Sequence, residues 1–176
     1  MLRRVEERIP ELASFVIPFI INLLVYTRYP IMYGIDGPYY IVQERSLITS
    51  GWIKYPDPPL AFLILVPFYL LGGGLGIKIG VVLLISLSSL LIFRTIKSLS
   101  KSSLVALFSS IVFGASPYTM RLYTDFIKNA LGLLFIISFF YSLFCIKDSK
   151  IRVTCMVSSV IACSLTHVLD FGVLGW

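Results

Sequence analysis

The chain has 176 residues, of which 57% are hydrophobic and 14% are charged, and its net charge is +6. Soluble domains have about 45–50% apolar and about 25% charged residues, so this composition excludes an ordinary soluble domain and predicts a polytopic membrane protein. In a membrane protein, a positive net charge is more typical of cytoplasmic loops and of contact with anionic lipid headgroups than of nucleic-acid binding. Cys145, Cys155 and Cys163 lie in or beside apolar runs without metal-ligand spacing. We therefore expect these cysteines to pack as small hydrophobic side chains.

Five apolar runs are long enough, or nearly so, to cross a bilayer. They occupy residues 12–29, 77–94, 103–120, 126–146 and 153–169. A sixth run, residues 60–71, is shorter, contains Pro67 and ends in a glycine-rich turn. Apolar runs of about 10–14 residues are often re-entrant or interfacial, so this run either crosses or folds at the surface.

The basic residues decide between these two arrangements. If residues 60–71 do not cross, three basic clusters share the cytoplasmic side, whereas a crossing would move two of them outside, against the positive-inside tendency. The clusters are Arg3, Arg4 and Arg8; Arg94, Lys97 and Lys101; and Lys147, Lys150 and Arg152. We therefore predict an all-α fold in one transmembrane domain, residues 1–176. It has about five transmembrane helices, juxtamembrane or re-entrant helices in the first external loop, and a cytoplasmic N-terminus in a cell membrane.

The first external loop, residues 30–59, is the longest polar interval and holds Asp36, Glu44 and Asp57. Residues 38–50 predict an amphipathic helix that starts after Gly37-Pro38 and lies in the interface plane. The residues expected on its apolar side are Tyr40, Ile41, Leu47 and Ile48, with Glu44 and Arg45 elsewhere. Tyr39 and Tyr40 are typical headgroup-level anchors.

Two acids of this loop have two interpretations each. Asp36 either caps a helix or faces water, or it acts as a general base or metal ligand at the lipid–water boundary. Asp57 either caps the apolar juxtamembrane helix predicted over residues 58–72, or it belongs to the site.

The second polar segment covers residues 116–129. Arg121, Asp125 and Asn129 are four residues apart and share a face if the segment is helical. Arg121 and Asp125 have two interpretations. They form a weak ion pair, or Asp125 is a second catalytic carboxylate and Arg121 or Lys128 is available for a phosphate. Near the end of the chain, His167 lies three residues before Asp170, either as a hydrogen-bonded helix-end histidine or as part of the same site.

Three short motifs carry a resemblance to a known family: Gly34-Ile35-Asp36-Gly37-Pro38-Tyr39-Tyr40, Gly51-Trp52, and Tyr55-Pro56-Asp57-Pro58-Pro59-Leu60. The chain resembles the GT-C superfamily of integral-membrane glycosyltransferases, in particular prokaryotic relatives of the protein mannosyltransferases and of the lipid A aminoarabinose transferase. By this resemblance Asp36 matches an early catalytic acid, and Asp125 matches a second acid in the next external loop. Asp57-Pro58-Pro59-Leu60 is similar to a later element that often has His or Glu in place of Asp.

The resemblance implies transfer of a sugar from a polyprenyl-phosphate-linked donor to an acceptor at the external membrane face. Asp36 would accept the acceptor's proton, and the leaving lipid phosphate would need charge stabilisation. By position alone, the candidates to stabilise the leaving phosphate are Arg121, Lys128 and His167. Further candidate substrate contacts are Asp57, Tyr39 and Tyr40. Asp36 and Asp125 are also candidate ligands for a divalent cation, Mg²⁺ or Mn²⁺.

Family members usually have seven or more spans, whereas this chain ends after the fifth predicted one. We therefore expect an N-terminal fragment of a larger module, completed by a missing C-terminal part or a partner chain. The alternative class is a non-catalytic polytopic membrane protein: a degenerate relative, an assembly subunit or half of a transporter. Transporters typically show internal repeats, and no repeat is evident in this sequence.

Overall fold

The computed structural model of the protein describes residues 2–32, 34 and 36–166, with side chains from residue 8 onward. The described residues form seven α-helices and no strand, which confirms an all-α fold. The helices are α1 Leu2–Tyr26, α2 Gly37–Ser50, α3 Leu60–Ser100, α4 Ser103–Gly114, α5 Pro117–Asp125, α6 Ile127–Cys145 and α7 Ser149–Thr166. The buried core lies mainly between α3 and α6, and Tyr26 of α1, Tyr40 of α2 and Tyr123 of α5 complete it.

One end of the bundle, which we call the basic end, joins the start of α1 to the last turns of α3 and α6. The Arg94 guanidinium forms an ion pair with Glu11 at 2.6 Å. The Ser98 hydroxyl donates a hydrogen bond to the carbonyl oxygen of Phe144 at 3.2 Å. Arg94 and Lys97 lie in the last turns of α3 and Lys147 follows the end of α6, so two of the predicted basic clusters lie at this one end of the bundle.

The opposite end, which we call the loop end, holds the polar segment between α1 and α3. The Tyr26 hydroxyl at the end of α1 donates to the carbonyl oxygen of Met120 at 2.6 Å. The backbone N–H of Lys128 at the start of α6 donates to the Tyr40 hydroxyl of α2 at 3.0 Å. The two predicted polar segments therefore meet at one end of the bundle, as the positions of the basic clusters had predicted.

The predicted span over residues 103–120 is broken into two helices. α4 and α5 meet at an angle of 47° around Ser116-Pro117, where proline lacks the N–H that a continuous helix needs. Inside the bundle, the Asn22 side-chain amide donates to the carbonyl oxygen of Gly114 at 2.8 Å. This bond satisfies a helix-end carbonyl that has no partner within its own helix.

The first half of α3, residues 60–71, folds back on the second half, residues 74–100. A β-carbon on Gly76 would collide with the carbonyl oxygen of Phe68, and one on Gly80 would lie 2.7 Å from the Phe68 ring. A straight helix would separate residues 68 and 76 by about 12 Å. The reversal occurs at Gly72 and Gly73, both with non-helical backbone angles, and Gly73 has a φ of +57° that favours glycine. The apolar run 60–71 is therefore a separate helical arm, although it starts at Leu60 and not at Pro58.

By length and apolar composition three helices can cross a membrane: Arg8–Tyr26, Leu60–Ser100 and Ile127–Cys145. The bent pair α4–α5 makes a fourth if it is one span. The fifth predicted span is not confirmed, because the described part of α7 contains Lys150 and Arg152 and is less apolar. The polar segment 2–11, expected outside the first span, is helical and continuous with it.

Candidate functional site

α2 sets the geometry of the first loop. It begins after Asp36, whose backbone oxygen accepts from the Tyr40 N–H at 3.1 Å, while its carboxylate makes no capping hydrogen bond. Asp36 therefore occupies the N-cap position of α2, although its side chain does not cap the helix. Burial is the main cause that raises the pKa of Tyr40, and the negative charges of Asp36 and Asp57 raise it further. The Asp36 carboxylate thus lies near enough to Tyr39 and Tyr40 for its charge to act on both side chains.

The Asp57 carboxylate binds two partners. One of its oxygens accepts from the Tyr39 hydroxyl at 2.6 Å and also contacts the Lys128 ammonium group, 71 residues away in sequence. The Lys128 nitrogen lies 5.5 Å from the centre of the Tyr39 ring. Burial is the first cause that raises the pKa of Tyr39, to about 12, and its hydrogen bond to Asp57 is the second. Asp57 is therefore not a helix cap, because its carboxylate holds Lys128 and α3 is preceded instead by Pro59.

Gln43 supports this arrangement from the same face of α2. Its side-chain amide donates to the Tyr39 hydroxyl and to the carbonyl oxygen of Tyr55, both at 2.9 Å. Its oxygen accepts from the Tyr55 N–H, also at 2.9 Å. We call Tyr39, Gln43, Asp57 and Lys128 the loop clamp, because together they fix the first loop to the start of α6.

Asp125 lies apart from the loop clamp, on the wall of an open cavity of about 530 Å³. It is 8% exposed and forms an ion pair with Arg121 at 3.0 Å, as the four-residue spacing predicted. The expectation that Asn129 shares this face is wrong, because Phe126 breaks the helix between α5 and α6. Gly34 packs against Asp125, and a β-carbon at Gly34 would lie 2.8 Å from its carboxylate.

The cavity combines cationic and apolar walls. Arg28 and Arg121 line it, with Tyr26, Tyr29 and the apolar residues Leu24, Val25 and Met120. Sequence reasoning missed Arg28 and Tyr29, although a basic residue just after an apolar span next to an aromatic residue is the pattern of an interfacial position. Cations beside an apolar wall suit a ligand that has both an anionic group and a hydrocarbon part.

The structure thus brings the predicted residues together in two groups, the loop clamp with Tyr40, and Arg121 with Asp125. Asp36 is not among the described residues that line the cavity. His167 lies outside the described residues. In the described part of the chain, no group of three or more His, Cys, Asp or Glu side chains is placed to hold a metal ion.

Glu44 is the polar residue that the sequence interpretation misplaced. It is 0% exposed, and neither of its carboxylate oxygens has a hydrogen-bond partner. Burial raises the pKa of Glu44 to about 8. The helical period contained the signal, because at about 100° per residue Glu44 falls between Tyr40 and Ile41 on the side expected to be apolar.

Comparisons of the chain with protein-family models, with curated proteins and with solved structures find no match.

Proposed function

We propose that the chain acts as a membrane glycosyltransferase of the GT-C type. It moves a sugar from a polyprenyl-phosphate-linked donor to an acceptor at the external face of a cell membrane. The observation that carries the proposal is the cavity at the loop end, where Asp125 and two arginines lie beside an apolar wall. A lipid-linked sugar phosphate has matching parts: a hydrocarbon chain, an anionic phosphate and a polar sugar.

In this mechanism the donor phosphate binds to Arg28 and Arg121, which stabilise the negative charge that develops as the phosphate leaves. Asp36 accepts the proton from the acceptor hydroxyl or amide as the acceptor oxygen or nitrogen attacks C1 of the sugar. The bond between C1 and the phosphate oxygen breaks through a transition state that resembles an oxocarbenium ion. Asp125 orients Arg121 and faces the sugar.

The loop clamp positions this site. Lys128 and Asp57 bind each other, so their role in the mechanism is to hold the first loop, with Asp36, against the start of α6. The mechanism uses no step through a metal ion, because Asp125 binds Arg121 and, among the described residues, Asp36 does not line the cavity with it.

The proposed topology has five spans, α7 with the residues that follow it being the fifth, and a cytoplasmic N-terminus. The arm 60–71 stays on the external side. Cysteine labelling tests this topology at Trp52, which is 74% exposed in the first loop, and at the exposed Lys101 beyond α3. Trp52→Cys should react with an impermeant reagent from outside and Lys101→Cys only after the membrane is opened. Labelling of position 101 from outside would exclude this topology.

The activity test measures transfer of sugar from a lipid-linked donor by the protein in membranes. Asp36→Asn should reduce kcat by about 10²-fold or more, because general-base catalysis typically contributes 10²–10⁴-fold. Asp125→Asn should reduce transfer as well. Asp148→Asn, which removes a carboxylate after the opposite end of α6, is the matched control and should keep full activity. Transfer that persists in both site variants would exclude Asp36 and Asp125 as catalytic residues, whereas no transfer by the unaltered protein would favour a non-catalytic protein.

A further inference from the structure

Two adjoining cavities lie at the basic end, one on each side of the Glu11–Arg94 ion pair. The cavity between α1 and α3 has a volume of about 700 Å³, and the one that extends to α6 has a volume of about 560 Å³. Glu11 and Arg94 line both of them. The two cavities therefore form one groove across three helices, which we call the basic groove.

The basic groove carries an excess of positive charge. Among its described lining residues, Arg8, Arg94 and Lys97 are cationic and Glu11 is anionic. The Arg94 side chain remains 43% exposed although Glu11 binds it. Three cations against one carboxylate attract an anion to this groove.

The wall of the groove below these charges is apolar. Ile9 and Leu12 are 60% and 65% exposed, and Phe15 and Leu90 complete the wall. A free inorganic anion would leave this wall uncovered, and a neutral lipid would leave the cations without a partner. An anionic phospholipid meets both requirements, with an acyl chain along the wall and its phosphate at the cations.

We infer that the basic groove binds an anionic phospholipid from the membrane leaflet at the basic end. Basic pockets between transmembrane helices bind such headgroups, and each basic residue near an anionic lipid surface contributes about 1 kcal/mol. The groove lies at the opposite end of the bundle from Asp36 and Asp125. The inference therefore does not depend on the proposed glycosyl transfer.

The test is native mass spectrometry of the full chain in detergent, titrated with phosphatidylglycerol or with phosphatidylcholine that has the same acyl chains. Arg8→Gln/Lys97→Gln removes two cations of the groove and keeps the Glu11–Arg94 pair. Lys147→Gln/Lys150→Gln removes the same charge from exposed positions at the same end, outside the groove. The single variants Arg8→Gln and Lys97→Gln repeat the test with smaller perturbations of the fold.

Phosphatidylglycerol should bind to the unaltered chain at least tenfold more tightly than phosphatidylcholine. The groove double variant should lose roughly 25-fold in affinity, two contacts of about fivefold each, while the control double variant keeps its affinity. Equal binding of the two lipids would overturn the inference, as would equal losses in the two double variants. Displacement of phosphatidylglycerol by millimolar inorganic phosphate would also overturn it, because the groove would then be a site for free anions.

Discussion

Replacement of Glu44 by glutamine tests whether a buried carboxylate controls the seating of α2. Glutamine keeps the shape of the side chain and cannot ionise. The buried face of α2 contains Tyr40, Gln43 and Glu44, and α2 packs on α3, where the Tyr40 and Phe62 ring centres lie 5.8 Å apart. Neither carboxylate oxygen of Glu44 has a hydrogen-bond partner, and burial is the cause that raises its pKa.

The expected effect of this change depends on pH in a defined direction. The pKa of Glu44 is raised from 4.5 to about 8 because burial disfavours the charged form, so the folded chain holds this proton more tightly than the unfolded chain. The stability of the unaltered protein should therefore fall as pH rises from 4.5 to 8, and it should not fall further above 8 on account of this group. A difference of 3.5 pKa units corresponds to about 5 kcal/mol at its full extent.

Thermal unfolding in detergent at pH 5, 7 and 9 measures this effect. Glu44→Gln should unfold at nearly the same temperature as the unaltered protein at pH 5, and about 10–20 °C higher at pH 9, given about 2–4 °C per kcal/mol for a chain of this size. The neighbouring exposed residue provides the control, since Arg45→Gln changes the charge of the same helix without burial. A gap between Glu44→Gln and the unaltered protein that stays constant from pH 5 to pH 9 would refute the reasoning.

Two further predictions concern the loop clamp and the reversal in α3. Asp57→Asn or Lys128→Met alone leaves a largely buried charge without its partner and should lower the unfolding free energy by about 3 kcal/mol, whereas the double variant should recover part of this loss. Additive losses in a double-mutant cycle would contradict the clamp. Gly73→Ala should lower the unfolding free energy by about 1–2 kcal/mol, because Gly73 has a positive φ. Gly76→Ala should lower it more, because the added β-carbon collides with the helical arm. Gly72→Ala should be nearly neutral, because its β-carbon would enter open space. Thermal unfolding that ranks Gly72→Ala as the most harmful of the three would contradict the reversal.

Local sequence patterns determined much of the fold. Apolar runs predicted the helices that can cross the membrane, and the positions of basic residues predicted that both polar segments lie at one end. The glycines after Leu71 marked the reversal, since glycine accepts the positive φ that occurs at Gly73. The Ser116-Pro117 break in the bent pair was missed, although proline inside an apolar run is a local signal of it.

The sequence by itself also identified the candidate residues Asp36, Asp125 and Asp57, but only the tertiary structure decided their partners. The bond from Asp57 to Lys128 joins positions 71 residues apart, and the bond from Asn22 to Gly114 joins positions 92 residues apart. Such contacts depend on how helices cross and which faces meet, and no local pattern contains that information. Glu44 shows the same limit, because its burial with no hydrogen-bond partner depends on how α2 packs against the rest of the bundle.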